Sequence, residues 1–167
     1  MRLMKTAKKT GMSVRGATAL LGKILKQAKA TSSLKKRVSK TPKGTAWQVS
    51  FKFLSAPAMK RLNFRYRKKN SATDILSFPA PEIFRQHGML GELVICEAVL
   101  LRQAREQEHN PRRELEVLLV HGVLHLLDFD HERGPKAAVE MARWESKLLA
   151  GLKPSKETKS GLVARSK

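Results

Sequence analysis

The stretch Arg112–Leu127 constrains this chain more than any other. Leu115, Leu118, Leu119, Leu126 and their neighbours make it apolar almost all round, which predicts a helix enclosed by other elements. Asn110 and Pro111 mark its start, a cap followed by proline at the first helical position. Asp128 stands where it must end, because Asp can take up the left-handed terminating conformation, though less easily than glycine. Into this rigid helix the sequence sets two imidazoles, His121 and His125. Residues four apart share one face, one turn apart, so both rings can reach a single ion.

A third imidazole, His131, follows beyond Asp128-Phe129-Asp130, where the chain can turn back. Three neutral imidazoles make an open site. A tetrahedral zinc would hold them at about 2.0–2.1 Å and keep its fourth position for water or substrate. A lone histidine on an apolar helix is usually a hydrogen-bonded core residue. Here three of the chain's five histidines fall between positions 121 and 131 at chelating spacing, which favours a metal. No cysteine stands nearby to close the shell, so the pattern points to catalysis over a structural role. An all-imidazole site also suits Cu, Ni or Fe(II), with zinc the default. The spacing is zincin-like, but the glutamate base of His-Glu-x-x-His is replaced by Gly122. That lowers the peptidase reading without abolishing it, since Asp128, Asp130 or Glu132 could approach the metal. Gly122 also permits close approach of another backbone or a substrate, at a helix-propensity cost of about 1 kcal/mol relative to alanine.

Charge is the second strong signal. The net formal charge is +20 over 167 residues, and it is unevenly spread. Residues 1–73 hold twenty Lys/Arg and no acidic residue, whereas 74–150 hold nine basic and thirteen acidic ones. The tail, 151–167, has five basic residues and one acidic. A cationic half of this size attracts polyanions, nucleic acid first among them, with affinity that falls as salt rises. Part of that charge also reads as solvated surface and a mobile arm. The acid-poor leader has some features of a transit peptide but is richer in lysine than arginine. No apolar run approaches the roughly 20 residues that span a bilayer, and no signal-like apolar stretch follows the first basic residues. The single cysteine, Cys96, excludes an intrachain disulfide and reads as a small buried hydrophobe. Cytoplasm is the expected compartment.

The remaining chain divides into short elements. Residues 1–12 are basic, an edge strand or an arm. Arg15–Lys29 has helical spacing of Ala17, Leu20, Leu21, Ile24, Leu25 and Ala28, and Thr31–Gly44 is a lysine-rich connector. Trp47, Val49, Phe51 and Phe53 alternate with polar residues, predicting a strand over Ala46–Leu54. A helix then starts near Ser55 and Pro57, with Ala58, Met59, Leu62 and Tyr66 inward. Thr73–Phe78 is a second strand, ended by Pro79 and Pro81, and a loop runs to Gly88. Leu90–Cys96 is apolar enough for a central strand covered on both faces. Ala98–His109 is helical, and Gly134-Pro135 opens a last helix to about Leu149, with Ala138, Met141, Ala142 and Leu148 inward. This gives three units: a basic segment 1–45, a core 46–150 and a basic, mobile tail 151–167.

Several of these segments resemble one family. His121-Gly-Val-Leu-His125-Leu-Leu-Asp-Phe-Asp130-His131 is similar to the His-Gly-x-Leu-His-Leu-x-Gly-Tyr-Asp-His signature of the YbeY-type endoribonucleases of rRNA maturation. Leu62-Asn63-Phe-Arg-Tyr66-Arg67, then Thr73-Asp74-Ile75-Leu76-Ser77-Phe78-Pro79, resembles that family's Leu-Asn-x-x-Tyr-Arg and Thr-Asp-Val-Leu-Ser-Phe-Pro. Gly91-Glu92-Leu-Val-Ile-Cys96 resembles its Gly-Asp-Ile-x-Ile strand. Order and gaps agree over roughly residues 46–150; the first 45 agree only in coarse pattern and the tail not at all.

The resemblance implies an α/β (α+β) fold, a small mixed four-stranded sheet flanked by about five helices. It implies a zinc-dependent, single-strand-specific endoribonuclease acting in 3′-end maturation of small-subunit rRNA and in ribosome quality control. Its partners would be single-stranded RNA and the ribosome or small subunit, with no membrane. His121, His125 and His131 match the metal ligands, and Arg67 matches a functional arginine, so all four are the candidate catalytic residues. A bound metal can polarise a phosphate oxygen, and a guanidinium can hold one bidentately. Asp130 reads either as a partner orienting an imidazole or as a turn residue. Thr73 and Ser77 are candidates for hydrogen bonds near the site. Two departures stand out: Asp128 replaces a glycine and Glu92 an aspartate. The alternatives are a metallohydrolase of another substrate, such as a peptidase, and a non-catalytic RNA- or ribosome-binding protein whose metal fixes the fold.

Overall fold

The computed structural model describes residues 14–37, 42 and 44–152. Helix α1 (Val14–Ala30) and the short α2 (Ser32–Lys36) come first, followed by β1 (Gln48–Leu54), α3 (Ala56–Arg67) and β2 (Ile75–Pro79). A short α4 (Glu82–Arg85) leads into β3 (Met89–Cys96), α5 (Glu97–Glu106) and α6 (Pro111–Leu126). A 3₁₀ turn (His131–Arg133) and α7 (Pro135–Ala150) complete the described chain. No helix among the described residues is long and apolar enough to cross a membrane.

The sheet has the order β1-β3-β2, with β3 parallel to β1 and antiparallel to β2. It is mixed, as expected, but has three strands among the described residues where four were expected. Residues 1–12, read as a possible edge strand, lie outside them, as do residues 153–167 of the tail. The long helices stand where periodicity placed them. Helices α2 and α4 lie in segments read as connector and loop, because four or five residues are too few to display a 3.6-residue period.

Alternation along β3 builds two cores. Leu93 and Ile95 face a large core shared with α1, α6 and α7, while Val94 and Cys96 face a smaller one with Met59 of α3, Leu76 of β2 and Val99 of α5. Burial on both faces is why this strand reads as a nearly continuous apolar run. Opposite Gln48 and Val49, β3 carries one extra residue: Met89 and Gly91 are the partners, with Leu90 between them. That bulge turns Leu90 onto the same face as Leu93. Gly91 has φ +151°, and a Cβ there would lie 2.2 Å from the Phe78 carbonyl oxygen, so glycine is required at this crossing.

Helix α6 is the centre of the large core. Leu115, Leu119, Val120, Val123, Leu124 and Leu126 are completely buried, and each fully buried leucine contributes roughly 1.5–3 kcal/mol of transfer free energy. Asn110 caps its start, its Oδ1 accepting from Arg113 N at 2.9 Å. Helix α1 packs its Ala17, Leu20, Leu21, Ile24 and Ala28 into the same core. Two inward assignments need correction. Tyr66 is 57% exposed, meeting Phe78 edge to face at 5.0 Å, and Asn63 is buried in its place, donating to Ser71 O at 2.8 Å. Tyr66 lines an open cleft beside Phe78, which leaves part of its ring in solvent. Ala142 is also exposed, because the buried stripe of α7 runs through Met141 and Leu148.

Candidate metal centre

His121 and His125 leave α6 on one face, with their Nε2 atoms 3.1 Å apart. The turn that follows delivers the third ring. Asp128 adopts φ 64° and ends the helix in the left-handed conformation. The side chain of Phe129 is then buried in the core, with the Arg37 guanidinium 3.7 Å above its ring. Asp130 accepts from Glu132 N at 3.0 Å and from Arg133 Nε at 3.2 Å, which fixes the 3₁₀ turn carrying His131. Asp130 is therefore a turn residue. The His131 ring lies 5.3 Å from that of His121 and 5.2 Å from that of His125, centroid to centroid.

One ligand nitrogen from each histidine lies within 4.8 Å of the others. Tetrahedral ligands at zinc distances stand about 3.3 Å apart, close to the 3.1 Å between the His121 and His125 nitrogens. The donor chemistry also fits. Burial, then the neighbouring His121 and His131 rings, hold the His125 imidazole below its ordinary pKa, which favours the neutral form that binds metals. His121 Nδ1 is 2.7 Å from Glu145 Oε1. A proton on Nδ1 directed at that carboxylate leaves Nε2 free as a donor to a cation.

The three rings open into a cleft of about 670 Å³, also lined by Tyr66, Arg67, Thr73, Asp74, Ser77 and Glu132. Arg67 sits at the end of α3, where its guanidinium meets Glu132 Oε1 at 2.7 Å and remains 41% exposed. Thr73 donates to Asp74 Oδ1 at 2.9 Å, and Ser77 Oγ reaches only to 3.5 Å from Gly122 O. Glu92 is not on the cleft; it pairs with Lys52 across the β1–β3 ladder at 3.0 Å. Asp128 directs its carboxylate to Arg85, with contacts at 3.1 and 2.8 Å. That partner, first of all through its hydrogen bonds, raises the Arg85 pKa further.

Gly122 permits a close approach, and the groups that make it come from the sheet: a Cβ there would lie 2.7 Å from Leu93 Cδ2 and 2.8 Å from Ile75 Cδ1. Glycine lets α6 rest directly on the strands. Glu145 is the residue that sequence reasoning missed. Its signal was present, an acidic side chain four residues after Met141 and three before Leu148, on the inward stripe of α7.

The described geometry can be set beside known proteins. The family described as Endoribonuclease YbeY matches residues 3–153, beginning more than forty residues before the first linked motif. Among relatives, the Endoribonuclease YbeY of Psychrobacter cryohalolentis is 46% identical over 98 residues, covering 56% of this chain and 63% of that protein. The Thermodesulfovibrio yellowstonii protein of the same name is 42% identical over 107 residues, covering 64% of this chain and 67% of its own. The Psychrobacter arcticus relative is covered over 48% of its length, so the matched part spans half to two thirds of these proteins. The solution structure of TM1509 from Thermotoga maritima matches with a TM-score of 0.46 at 30% identity, over 76% of this chain and 79% of that one. The family match runs nearly the whole length of the chain and takes in every residue of the histidine cleft, so this chain belongs to the YbeY family.

Proposed function

We propose that the chain is a zinc-dependent endoribonuclease specific for single-stranded RNA. In this reading it acts in the cytoplasm, on the ribosome or its small subunit, in 3′-end maturation of small-subunit rRNA and in ribosome quality control. One observation carries the chemistry: three imidazole nitrogens within 4.8 Å of one another open into the cleft that Arg67 lines. The name Endoribonuclease carried by the relatives supports the substrate class.

His121, His125 and His131 would hold the cation, and a cation so held supplies Lewis acidity at the scissile phosphate. Arg67 binds a non-bridging phosphate oxygen and stabilises the charge that develops there. At rest its guanidinium is paired with Glu132, so an arriving phosphodiester exchanges with that carboxylate. Of the other carboxylates on the cleft, Asp74 accepts from Ile75 N and Gln103, Asp128 is held by Arg85, and Asp130 caps its own turn. Residues 46–150 carry this machinery, and the cationic residues of 1–45 and 151–167 add affinity for RNA.

The test combines metal analysis with cleavage of single-stranded rRNA fragments by wild type, Arg67→Ala and His121→Ala. The wild type is expected to carry about one zinc and to cut. His121→Ala should lose both properties, and Arg67→Ala should keep the metal while cleaving about 10²–10³-fold more slowly. Intact RNA after incubation with metal-loaded wild type, or equal cutting by wild type and His121→Ala, would overturn the proposal.

A further inference from the structure

Phe64 stands out on the outer face of α3. Its side chain is 55% exposed and belongs to neither hydrophobic core. Burial therefore does not explain it. Its helical neighbours at i−4, i−3, i+3 and i+4 are Lys60, Arg61, Arg67 and Lys68, all cationic and all exposed. Among the described residues no carboxylate pairs with Lys60, Arg61 or Lys68. An apolar ring framed by four cationic side chains, Arg67 paired with Glu132 and Lys68 resting its Nζ 3.4 Å from the Arg65 carbonyl, fits a ligand that alternates flat apolar faces with negative charges. Unpaired nucleotides have that chemistry, because each base offers a face to stack and each phosphate a charge to neutralise. A duplex keeps its base faces covered, so it would use the cations and leave the ring idle.

We propose that the outer face of α3 is a binding track for single-stranded RNA, with Phe64 stacking one base. This rests on the endoribonuclease reading and extends it, since α3 ends at Arg67 on the wall of the histidine cleft. A strand laid along the helix is thereby led to the metal centre.

The experiment is equilibrium binding by the full metal-loaded chain, with 2′-O-methyl oligomers so that cleavage does not interfere. Fluorescently labelled oligoadenylate is compared with a duplex, inorganic polyphosphate and vesicles containing phosphatidylglycerol. Phe64→Ala is expected to weaken oligoadenylate binding by roughly 5- to 150-fold, the range for loss of one base–aromatic stack. Its salt slope should match the wild type, because no phosphate contact is removed. Phe64→Trp should retain affinity and Phe64→Leu should not, while duplex and polyphosphate binding stay within about twofold in all three. Equal oligoadenylate affinity in Phe64→Ala and wild type overturns the track. So does a loss shared equally with polyphosphate, or one confined to the vesicles. RNA cleavage, measured separately with metal, tests the enzymatic reading. An inactive chain that still shows the Phe64 effect would sink that reading and leave the track standing.

Discussion

Glu145 on α7 directs Oε1 at Nδ1 of His121 from 2.7 Å, while the Nε2 atom of that ring faces His125. The carboxylate fixes both the tautomer and the orientation of a ring that would otherwise rotate about its side-chain bonds. Because α7 packs on α6 through buried Met141 and Leu148, the contact is held by the core.

Removing that carboxylate should weaken metal binding before it weakens the fold. Glu145→Gln is expected to lower zinc affinity about 10- to 100-fold. Competition with a chromophoric chelator measures this directly, and cleavage should fall in step at limiting zinc but recover at saturating zinc. Unchanged affinity would mean that the packing of α6 alone holds His121.

Gly122→Ala sets two effects against each other. Alanine favours the helix by about 1 kcal/mol. The added Cβ, however, would stand 2.7–2.8 Å from side-chain carbons of Leu93 and Ile75, and overpacking of this kind costs about 1–3 kcal/mol. Both strands lie beneath the helix that carries His121 and His125, so relief by local shifts would move the histidine cluster. We expect net destabilisation in urea denaturation together with weakened metal binding; a gain in stability would show that the leucine rotates away freely.

At Asp128 the left-handed backbone and the Arg85 contact are coupled. A non-glycine residue in that conformation costs about 1–2 kcal/mol. Asp128→Gly removes that strain along with the ion pair, whereas Asp128→Ala removes only the pair. Alanine should therefore be the less stable of the two, by about 1 kcal/mol in denaturant titrations. If the two variants are equal, the turn is held by Phe129 and Asp130 alone.

The metal-free protein should be sensitive to acid. Burial beside His121 and His131 holds the folded pKa of His125 below its ordinary value of 6.5, so below that pH the unfolded chain binds more protons. The stabilisation is complete above about pH 6.5 and is lost as pH falls towards the folded value. Asp130 acts in the same sense lower on the scale. Its carboxylate is held below 3.8, chiefly by the hydrogen bond from Glu132 N, and loses its contribution as pH drops further. Thermal melts in chelator across pH 7.5 to 5 should show a falling midpoint in wild type and a shallower fall in His125→Gln. Parallel slopes would count against His125 as the source.

The sequence by itself determined the elements that are long and periodic: α1, α3, α5, α6 and α7, and the three strands with alternating or continuously apolar patterns. It also determined which histidines meet, because His121 and His125 are four apart on one helix and a left-handed Asp128 turns the chain back towards them. Those features are local, and a period or a turn preference records them within a dozen residues. Tertiary structure alone decided the rest. It brought Glu145 to His121 across 24 positions, set Glu132 against Arg67 across 65, and laid Gly122 on Leu93 and Ile75. It also turned Tyr66 outward, because whether an aromatic ring is covered depends on what packs over the end of its helix. Contacts between distant segments leave no period in the sequence, since each depends on how separate faces meet in the folded core.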